Sequence, residues 1–316
     1  MKSFPTFARL TLMLALSLAL VTPAPAQEAS AEETVLYQTW FGANSANMAE
    51  KAAEAAKEYL TKFPKGQYAA YLNNWLMGPK LKAFDAALQA GKVDDLIKVG
   101  REILVDQPEN LAVTYSLAFS LRRLEIAAAT PSFAHAKEAV EFSQAAIKLI
   151  EAGKVIEGGR FNKNTSLAIL YQIQALVAAK EGKTAEALAL YGQSSAADPG
   201  NAGIQGYNLL ALASLQRVPY DEAAKAYQAL PEADRQAAAP TDAVKAALDA
   251  MYAAADPLID SWARFVALSR ARNIAVETRD QVLAGLKSVY TTRFAGDVSG
   301  LEPLITKLQA DYTPKP

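Results

Sequence analysis

Four stretches of this sequence share an ending that limits what the chain can fold into, because each amphipathic, Ala- or Leu-rich segment stops at a proline. The four prolines are Pro64, Pro108, Pro199 and Pro231. Proline ends a helix, since it has no N–H donor and its ring clashes with the preceding turn. Short turns at 90–92, 181–183 and 217–219 precede the last three segments. The pattern predicts short helices that are joined in pairs by short turns.

The composition favours helix along the whole chain. Ala, Leu, Glu, Lys and Gln, which are strong helix formers, are abundant, and no segment alternates β-branched with polar residues. We therefore expect an all-α protein. Its clearest unit is 182–201, GKTAEALALYGQSSAADPGN, in which an Ala-rich helix runs from a glycine turn to Asp-Pro-Gly-Asn.

Residues 182–201 and the helix before them resemble one tetratricopeptide repeat, a helix–turn–helix of about 34 residues. The positions that carry the resemblance are Tyr171, Ala175, Ala178, Gly182, Ala187, Tyr191 and Pro199. Similar positions precede Pro64, Pro108 and Pro231, and a further helix pair at 110–126 and 132–151 follows the pattern with an inserted loop. The resemblance implies an α-solenoid of about five stacked repeats. A non-repeating helical bundle is the alternative.

The predicted organisation has three parts, which are a secretory signal peptide at 1–26, a repeat domain at 27–235 and a C-terminal helical cap at 236–316. The first part begins with Lys2 and Arg9, continues with an apolar run at 10–21 and ends in Ala24-Pro25-Ala26, as a cleavable signal peptide does. The run is shorter than the roughly 20 residues of a membrane span, and a retained anchor is the alternative. Cysteine is absent, and an exported chain of this size without cysteine fits a bacterial periplasm better than a disulfide-stapled secreted domain. We therefore expect a periplasmic or secreted protein.

The C-terminal part loses the repeat pattern. We predict one helix from Asp242 to about Ala255 and a second helix that Asp256 caps, with Pro257 in its first turn. Two more helices are predicted at about 277–294 and 299–311. We interpret these helices as a cap on the last repeat, and a separate partner-binding or self-association module is the alternative.

Two segments depart from the repeat pattern. Residues 67–90 are too long for one standard helix, so Gly78-Pro79 either kinks a helix or starts a new one. Residues 152–166 form a polar loop that contains Gly158-Gly159. We interpret this loop as a spacer or as a functional surface loop.

The sequence contains no motif that indicates catalysis. Gly182-Lys183-Thr184 matches the end of a phosphate-binding loop, but Val177 stands where that loop needs a glycine. We therefore predict a turn here, with Thr184 capping the next helix. The acidic pairs Asp94-Asp95 and Asp221-Glu222 are predicted in the first turns of helices, where negative charge favours the helix dipole.

His135 is the single histidine of the chain and cysteine is absent, so histidine or cysteine clusters cannot bind a metal here. We expect His135 to be solvated or to cap a helix. The chain has 32 Lys and Arg residues against 33 Asp and Glu residues, with a formal net charge of −1. That balance gives no bulk attraction for nucleic acid. We predict no cofactor, no nucleic-acid partner, no membrane segment in the mature chain and no enzymatic activity.

The resemblance also implies a binding function, because the first helices of such repeats line a concave groove that holds a peptide or a partner helix. The groove candidates are Tyr37, Asn44, Tyr115, Phe119, Arg122, Arg123, Gln172, Lys180, Gln205 and Asn208. Their aromatic, amide and cationic groups suit an extended peptide with some acidic character. We therefore expect a protein-binding scaffold whose partner is a protein or a peptide.

Three other functions stay open at this point. The first is that of an accessory subunit of a cell-envelope assembly, which docks through its C-terminal helices. The second is that of a receptor for a small solute. The third is that of an enzyme with a site in the groove or in the loop at 152–166. A receptor would have a deep apolar pocket with few polar groups. An enzyme would have a cluster of titratable groups with shifted pKa values in a closed pocket.

Overall fold

The computed structural model describes residues 29–157 and 161–313. These residues form helices joined by turns and contain no β-strand, as the all-α prediction requires. The predicted signal peptide, residues 1–26, lies outside the described residues. The α-helices of the described residues are α1 (Ala31–Ser45), α2 (Ala49–Lys62), α3 (Ala69–Ala90), α4 (Val93–Asp106), α5 (Leu111–Leu121), α6 (Ala136–Glu151), α7 (Lys163–Lys180), α8 (Thr184–Ala197), α9 (Ala202–Gln228), α10 (Glu232–Arg235), α11 (Asp242–Arg272), α12 (Val276–Arg293) and α13 (Leu301–Tyr312), with a π-helical turn (Arg122–Ile126) after α5.

The described residues form two compact units. The first unit contains residues 29–124 together with 153–157 and Phe161, and the second contains 125–152 and 162–313. The division falls inside the π-helical turn that follows α5. The boundary that we predicted at residue 235 lies within the second unit, and the division into a repeat domain and a cap stays a prediction.

Three helix pairs, α1–α2, α3–α4 and α7–α8, are joined by the same kind of turn. One residue of each turn has left-handed backbone, with φ of 55° at Asn47, 65° at Gly91 and 75° at Gly182. The next residue donates its backbone N–H to a carbonyl five residues earlier. The accepting carbonyls are those of Ala43, Ala87 and Ala178. This Schellman arrangement satisfies the last carbonyls of a helix and favours glycine at the left-handed position.

The second helices of these pairs, α2, α4 and α8, each have 14 residues and end in the same way. The residue after each helix is Phe63, Gln107 or Asp198, with φ between −129° and −138°. The prolines that follow are Pro64, Pro108 and Pro199. A residue before proline avoids helical backbone, because the proline ring crowds it. The three helices therefore end where the sequence predicted.

The buried faces of α2, α4 and α8 share one register. The fourth, eighth and eleventh residues of each helix are buried, and the eleventh is Tyr59, Ile103 and Ser194, respectively. Residues at these spacings lie on one face of a helix. The eighth residue of α4 is Gly100, where a Cβ would lie 2.8 Å from the Leu117 side chain. Glycine at this position therefore lets α4 and α5 approach closely.

The prolines Pro79, Pro219 and Pro257 lie in helix interiors, and the last two correct our predicted boundaries. Pro219 lies inside α9, so the predicted turn at 217–219 and the helix pair that it would join are wrong. Pro257 lies inside α11, so the predicted break at Asp256 is wrong. Pro79 lies inside α3, which runs without a break. The two helices predicted at 277–294 and 299–311 are confirmed as α12 and α13.

The continuity of α11 across Pro257 follows from its packing. An interior proline costs about 3 kcal/mol, whereas burying one large apolar side chain contributes about 1.5–3 kcal/mol. Met251 before the proline and Leu258 and Phe265 after it are all buried. A break at the proline would move one half of this apolar face out of the core, so burial outweighs the cost of the proline.

The helix α11 is the centre of the C-terminal part of the second unit. The helices α9, α12 and α13 all pack against it. Its Leu258 and Val266 form one apolar core with Leu286 of α12 and Ile305 of α13. Within the ranges that the structure describes, no helix combines the length and the apolar character that a bilayer crossing requires.

Two predicted helix starts need correction. Asp221 and Glu222 lie in the interior of α9 rather than in a first turn, whereas Asp94 and Asp95 are confirmed in the first turn of α4. The N-cap residue of α8 is Lys183, not Thr184, and no side-chain hydrogen bond caps this helix. The sequence Gly-Lys-Thr therefore forms a turn, as predicted, but the threonine is the first residue of the helix.

Candidate binding surface

Four aromatic side chains from α1 and α3 form a cluster at the surface of the first unit, which we call the aromatic surface. Its members are Tyr37 and Phe41 from α1 and Tyr71 and Trp75 from α3. The two residues from each helix are four apart, so they lie on the same helical face. Phe41 and Tyr71 are each 55% exposed, and Tyr37 and Trp75 are half-buried.

The side chain of Trp40 lies among these four rings and is itself 1% exposed. Its ring centroid lies 5.3 Å from that of Tyr37, 5.4 Å from Tyr71 and 5.6 Å from Trp75. Tyr71 and Trp75 meet it edge-on at 82°, a geometry that aromatic pairs prefer. The indole Nε1 of Trp40 has no hydrogen-bond partner among the described residues. A buried donor without a partner costs about 1–3 kcal/mol, so ring packing has to offset that cost.

The ring contacts also give the relative direction of α1 and α3. Tyr37 stacks on Tyr68 at the start of α3, with centroids 3.8 Å apart and an interplanar angle of 14°. One turn further along α1, Trp40 contacts Tyr71, which is one turn further along α3. The two helices therefore run in the same direction. Burial, together with the neighbouring hydroxyls of Tyr71 and Tyr68, raises the pKa of Tyr37, so its hydroxyl keeps its proton at neutral pH.

The stretches of α1 and α3 that carry the aromatic surface contain no charged residue. Residues 34–49 and 66–79 contain no Asp, Glu, Lys or Arg. Amide side chains lie beside the rings instead, because Asn44 follows Phe41 by three residues and Asn74 follows Tyr71 by three. At Gly78, three residues after Trp75, a Cβ would meet nothing within 4 Å. The space at position 78 is therefore open.

A buried hydrogen-bonded node of Glu33 and Tyr59 fixes α1 and α2 to the start of α3. The Tyr59 hydroxyl donates to the Glu33 carboxylate, which also accepts the backbone N–H of Gln67 at 2.6 Å. The Tyr59 oxygen accepts the N–H of Tyr68 at 3.0 Å. Burial and the hydrogen bond to Glu33 raise the pKa of Tyr59 to about 12. Glycine is needed at position 66, since a Cβ there would lie 2.6 Å from the Tyr59 oxygen.

The predicted groove residues differ in burial, and some of them cannot contact a partner. Tyr37 belongs to the aromatic surface, and Asn44 is half-buried beside it. Gln172 and Asn208 are 1% and 0% exposed, and Gln172 Nε2 donates to Asn208 Oδ1 at 2.8 Å. Both are therefore wrong as lining residues, because a partner cannot reach side chains that the fold encloses.

Asn208 is the centre of a buried polar network that joins α7, α8 and α9. Its Nδ2 donates to the Oγ of Ser194 at 2.9 Å and to the Oγ of Ser195 at 3.0 Å. The half-buried Gln205, another predicted groove residue, donates from Nε2 to the carbonyls of Ser195 at 2.8 Å and Asp198 at 3.0 Å. These amides hold three helices together and close the end of α8.

The predicted groove residues of α5 pack against a non-helical segment of the same unit. Tyr115 and Phe119 are half-buried and stack with centroids 5.9 Å apart. Phe161 meets Tyr115 edge-on at 6.4 Å and 89°, and Lys154 pairs with Glu109 at 2.6 Å. The segment that carries Lys154 and Phe161 thus contacts α5 through Phe161 and the turn before α5 through Lys154. It belongs to the loop predicted at 152–166, of which Gly158 and Gly159 lie outside the described residues, and α7 begins at Lys163.

The three cations among the predicted residues lie at the surface or near it. Arg122 is half-buried and Arg123 exposed, both in the π-helical turn. Lys180 is exposed, with Nζ 5.6 Å from the ring centroid of Phe133. A cation over an aromatic face is attracted by the ring quadrupole. All three stay candidates for contact with an acidic partner.

The single histidine is paired with a carboxylate, which corrects the prediction that it is solvated or caps a helix. His135 Nδ1 lies 2.8 Å from Glu125 Oε1, and its backbone N–H donates to Glu125 Oε2 at 3.2 Å. His135 is the N-cap residue of α6, but its side chain makes no capping hydrogen bond. The pair closes the inserted loop at 127–134. In the part of the chain that the structure describes, no group of three or more His, Asp or Glu side chains could hold a metal ion.

Sequence reasoning missed Phe41, Tyr71 and Trp75. Two signals in the sequence could have found them. One is the absence of charge over 34–49 and 66–79. The other is the spacing of a tyrosine and a second aromatic residue four positions later, which occurs in α1, in α3 and in α5.

Comparisons with known proteins were made for the whole chain. Neither the protein-family models nor the curated proteins nor the solved structures gave a match. The chemistry and the exposure of the protein's surfaces are therefore the basis for inferring its function.

Proposed function

We propose that the protein is an exported, non-enzymatic scaffold of the tetratricopeptide-repeat type, which binds a segment of a partner protein on the first helices of its helix pairs. The signal-peptide pattern of residues 1–26 supports export. For an exported chain of this size, the absence of cysteine fits a periplasmic location better than a disulfide-stapled secreted domain.

The repeated geometry of three helix pairs supports the stacked-repeat architecture. The pairs α1–α2, α3–α4 and α7–α8 share their left-handed turn, the length of their second helix and the proline that follows it. The helix α6, although longer, buries its fourth, eighth and eleventh residues like the other second helices. Units that bury one face against a neighbour are the elements from which solenoids are built.

The exposure of Phe41 and Tyr71 carries the binding proposal. Each ring is 55% exposed, although burying such a side chain would contribute about 1.5–3 kcal/mol. Exposed aromatic rings that cluster over a rigid support are typical of interaction sites. Trp40 provides that support here, since it fixes Tyr71 and Trp75 from below.

Site-specific photo-crosslinking in the envelope of the native host tests this function. A benzophenone-bearing residue at position 41 is compared with one at position 105. Val105 is the matched control, because it is an apolar residue of a second helix, α4, and is 81% exposed. We expect the same one or two proteins to be captured from position 41 and from position 71, and neither from position 105.

A third variant makes the crosslinking result specific. Trp75→Ala removes a ring from the aromatic surface and should reduce capture at position 41, while circular dichroism shows an unchanged helix content. Equal capture at positions 41 and 105, or capture that is insensitive to Trp75→Ala, would contradict the proposed binding function.

A further inference from the structure

One face of α5 and one face of α9 are each in contact with another part of the same chain. The two faces differ in the residue that makes this contact. The helices α5 and α9 both follow an asparagine N-cap, Asn110 or Asn201, whose side chain accepts a backbone N–H of the first turn. Five residues after the cap, α5 has Tyr115 and α9 has Gly206. The same position in the two helices can therefore be compared.

A helix covers the glycine position of α9. A Cβ on Gly206 would lie 3.7 Å from the side chains of Leu268 and Phe265, which belong to α11. Leu209 of α9 joins the same two residues in one core. Close helix–helix packing needs an interaxial distance of about 8–10 Å, and a tyrosine at this position would hold α11 away.

A non-helical segment covers the tyrosine position of α5. Phe161 packs edge-on against Tyr115, and residues 154–156 of the same segment have no helical structure. An extended chain is thinner than a helix and can pass between protruding rings. The protein thus places a helix against the small residue of α9, and a residue outside any helix, Phe161, against the tyrosine of α5.

The aromatic surface of α1 and α3 resembles the tyrosine position rather than the glycine position. Phe41 and Tyr71 protrude from it, so a docked helix would be held away from the helices beneath. The surface is also uncharged over 34–49 and 66–79, and charge complementarity therefore favours an uncharged occupant.

The hydrogen-bonding groups on this surface suit a polyproline II chain. That conformation leaves every backbone carbonyl without an internal hydrogen bond, and proline has no N–H to donate. The phenol of Tyr37 and the amides of Asn44 and Asn74 can supply donors. Proline rings pack on aromatic rings, and a chain that is already extended loses little entropy when it binds.

We infer that the aromatic surface binds an extended, uncharged, proline-rich segment of the partner. This inference rests on the proposed scaffold function and names the class of segment that the scaffold takes at this surface.

Tryptophan fluorescence of the full mature protein tests the inference. The chain has three tryptophans, so a Trp262→Phe background leaves Trp40 and Trp75 to report binding at the aromatic surface. The probe is a blocked peptide of about ten prolines, a length at which polyproline II is formed. A blocked Gly-Ser peptide of equal length, an amphipathic helical peptide and a neutral glucose oligosaccharide serve as comparisons.

We expect the proline peptide to give a saturable change and the Gly-Ser peptide to give none. Tyr71→Ala and Phe41→Ala should each weaken binding about tenfold, as truncation of a central aromatic contact does. Val105→Ala should leave it unchanged. Because the surface is uncharged, affinity should be the same between about 0.05 and 0.5 M salt. Circular dichroism and thermal unfolding of each variant show that the fold is intact.

The comparison ligands separate the failure of this inference from the failure of the proposed function. Tyr71-dependent binding of the helical peptide, without binding of the proline peptide, would overturn the inference and leave the scaffold function standing. Binding of the oligosaccharide alone, or of none of the ligands, would overturn both the inference and the use of this surface for a partner protein.

Discussion

The helices α2 and α8 have the same length, the same turn before them and the same proline after them, yet their eleventh residues are Tyr59 and Ser194. In the first region, Tyr59 reaches Glu33, and aromatic rings of α1 and α3 continue from the core to the surface. In the second region, Ser194 leaves room for Asn208 of α9, and buried amides fill the space. The same backbone pattern therefore occurs with two kinds of side-chain packing. Around Tyr59, aromatic rings extend from the core to the solvent, whereas around Ser194 buried amide side chains fill the space between the helices.

The largest effect should come from removing the centre of the amide interior. We expect Asn208→Ala to lower the free energy of unfolding by about 3 kcal/mol, because it deletes several buried hydrogen bonds and leaves a cavity. Denaturant unfolding followed by circular dichroism measures the change. Gln205→Ala is the matched control, a half-buried amide of the same helix, with an expected cost of about 1 kcal/mol. Equal costs would show that Asn208 is not the centre of this region.

The second largest loss of stability should come from a substitution in the turn between α2 and α3, which lies next to Tyr59. Gly66→Ala would place a methyl group against the Tyr59 hydroxyl and the Glu33 carboxylate, and we expect a loss of about 2 kcal/mol from this overpacking. Gly200→Ala changes a glycine of the corresponding turn after α8, where a Cβ would meet nothing within 4 Å. That control should stay within about 0.5 kcal/mol of the natural protein in the same unfolding experiment. A similar loss of unfolding free energy in Gly66→Ala and Gly200→Ala would mean that the contacts around Tyr59 do not require glycine at position 66.

Tyr59→Phe separates the hydroxyl of the node from its ring. At neutral pH we expect a loss of about 1–2 kcal/mol, because the Glu33 carboxylate and the N–H of Tyr68 each lose a partner. Unfolding free energies of both proteins, measured from pH 8 to pH 12, should also show a difference that depends on pH.

The sign of that pH dependence follows from the raised pKa of Tyr59. The unfolded tyrosine loses its proton near pH 10 and the folded one near 12, so the folded state holds more protons between these values. Its contribution to stability is complete below pH 10 and is lost as the pH rises to 12. The difference between the natural protein and Tyr59→Phe should therefore shrink over this window. A difference that stays constant from pH 8 to pH 12 would contradict the raised pKa.

The smallest effects should come from the turns that the two regions share. Gly91→Ala and Gly182→Ala each add a Cβ to a left-handed residue and should cost about 1 kcal/mol. Asn47→Gly removes the Cβ at the corresponding turn of α1–α2 and should change the stability by a few tenths of a kcal/mol in the opposite direction. Thermal unfolding can rank the three variants. Different losses of stability for Gly91→Ala and Gly182→Ala would show that the two turns are not energetically equivalent.

The helical ends of the repeated pairs could be predicted because they depend on local backbone chemistry. Gly91 and Gly182 adopt a backbone that other residues avoid, and Pro64, Pro108 and Pro199 cannot continue a helix. Proline alone was not sufficient, however. The sequence predicted a turn at 217–219 and a new helix with Pro257 in its first turn, but α9 and α11 continue through Pro219 and Pro257, since the two helices pack against each other.

The candidate site was predicted only in part. Tyr37 was identified from the helix that carries it, but Gln172 and Asn208 were assigned to the same kind of surface and are enclosed by α8 and α9. An amide on a first helix looks the same in the sequence whether it meets solvent or another amide. Phe41 and Tyr71 were missed for the converse reason, because large aromatic residues are usually buried.

By itself, the sequence determined that the chain is helical, where most of its short helices end and that two of its segments carry no charge. These properties depend on neighbouring residues along the chain. The tertiary structure alone decided that α9 and α11 are unbroken, that Asn208 is enclosed and that Phe41 and Tyr71 remain exposed. Each of these outcomes depends on what lies across from a helix face, and burial against that neighbour is worth as much free energy as the local preference that it overrides.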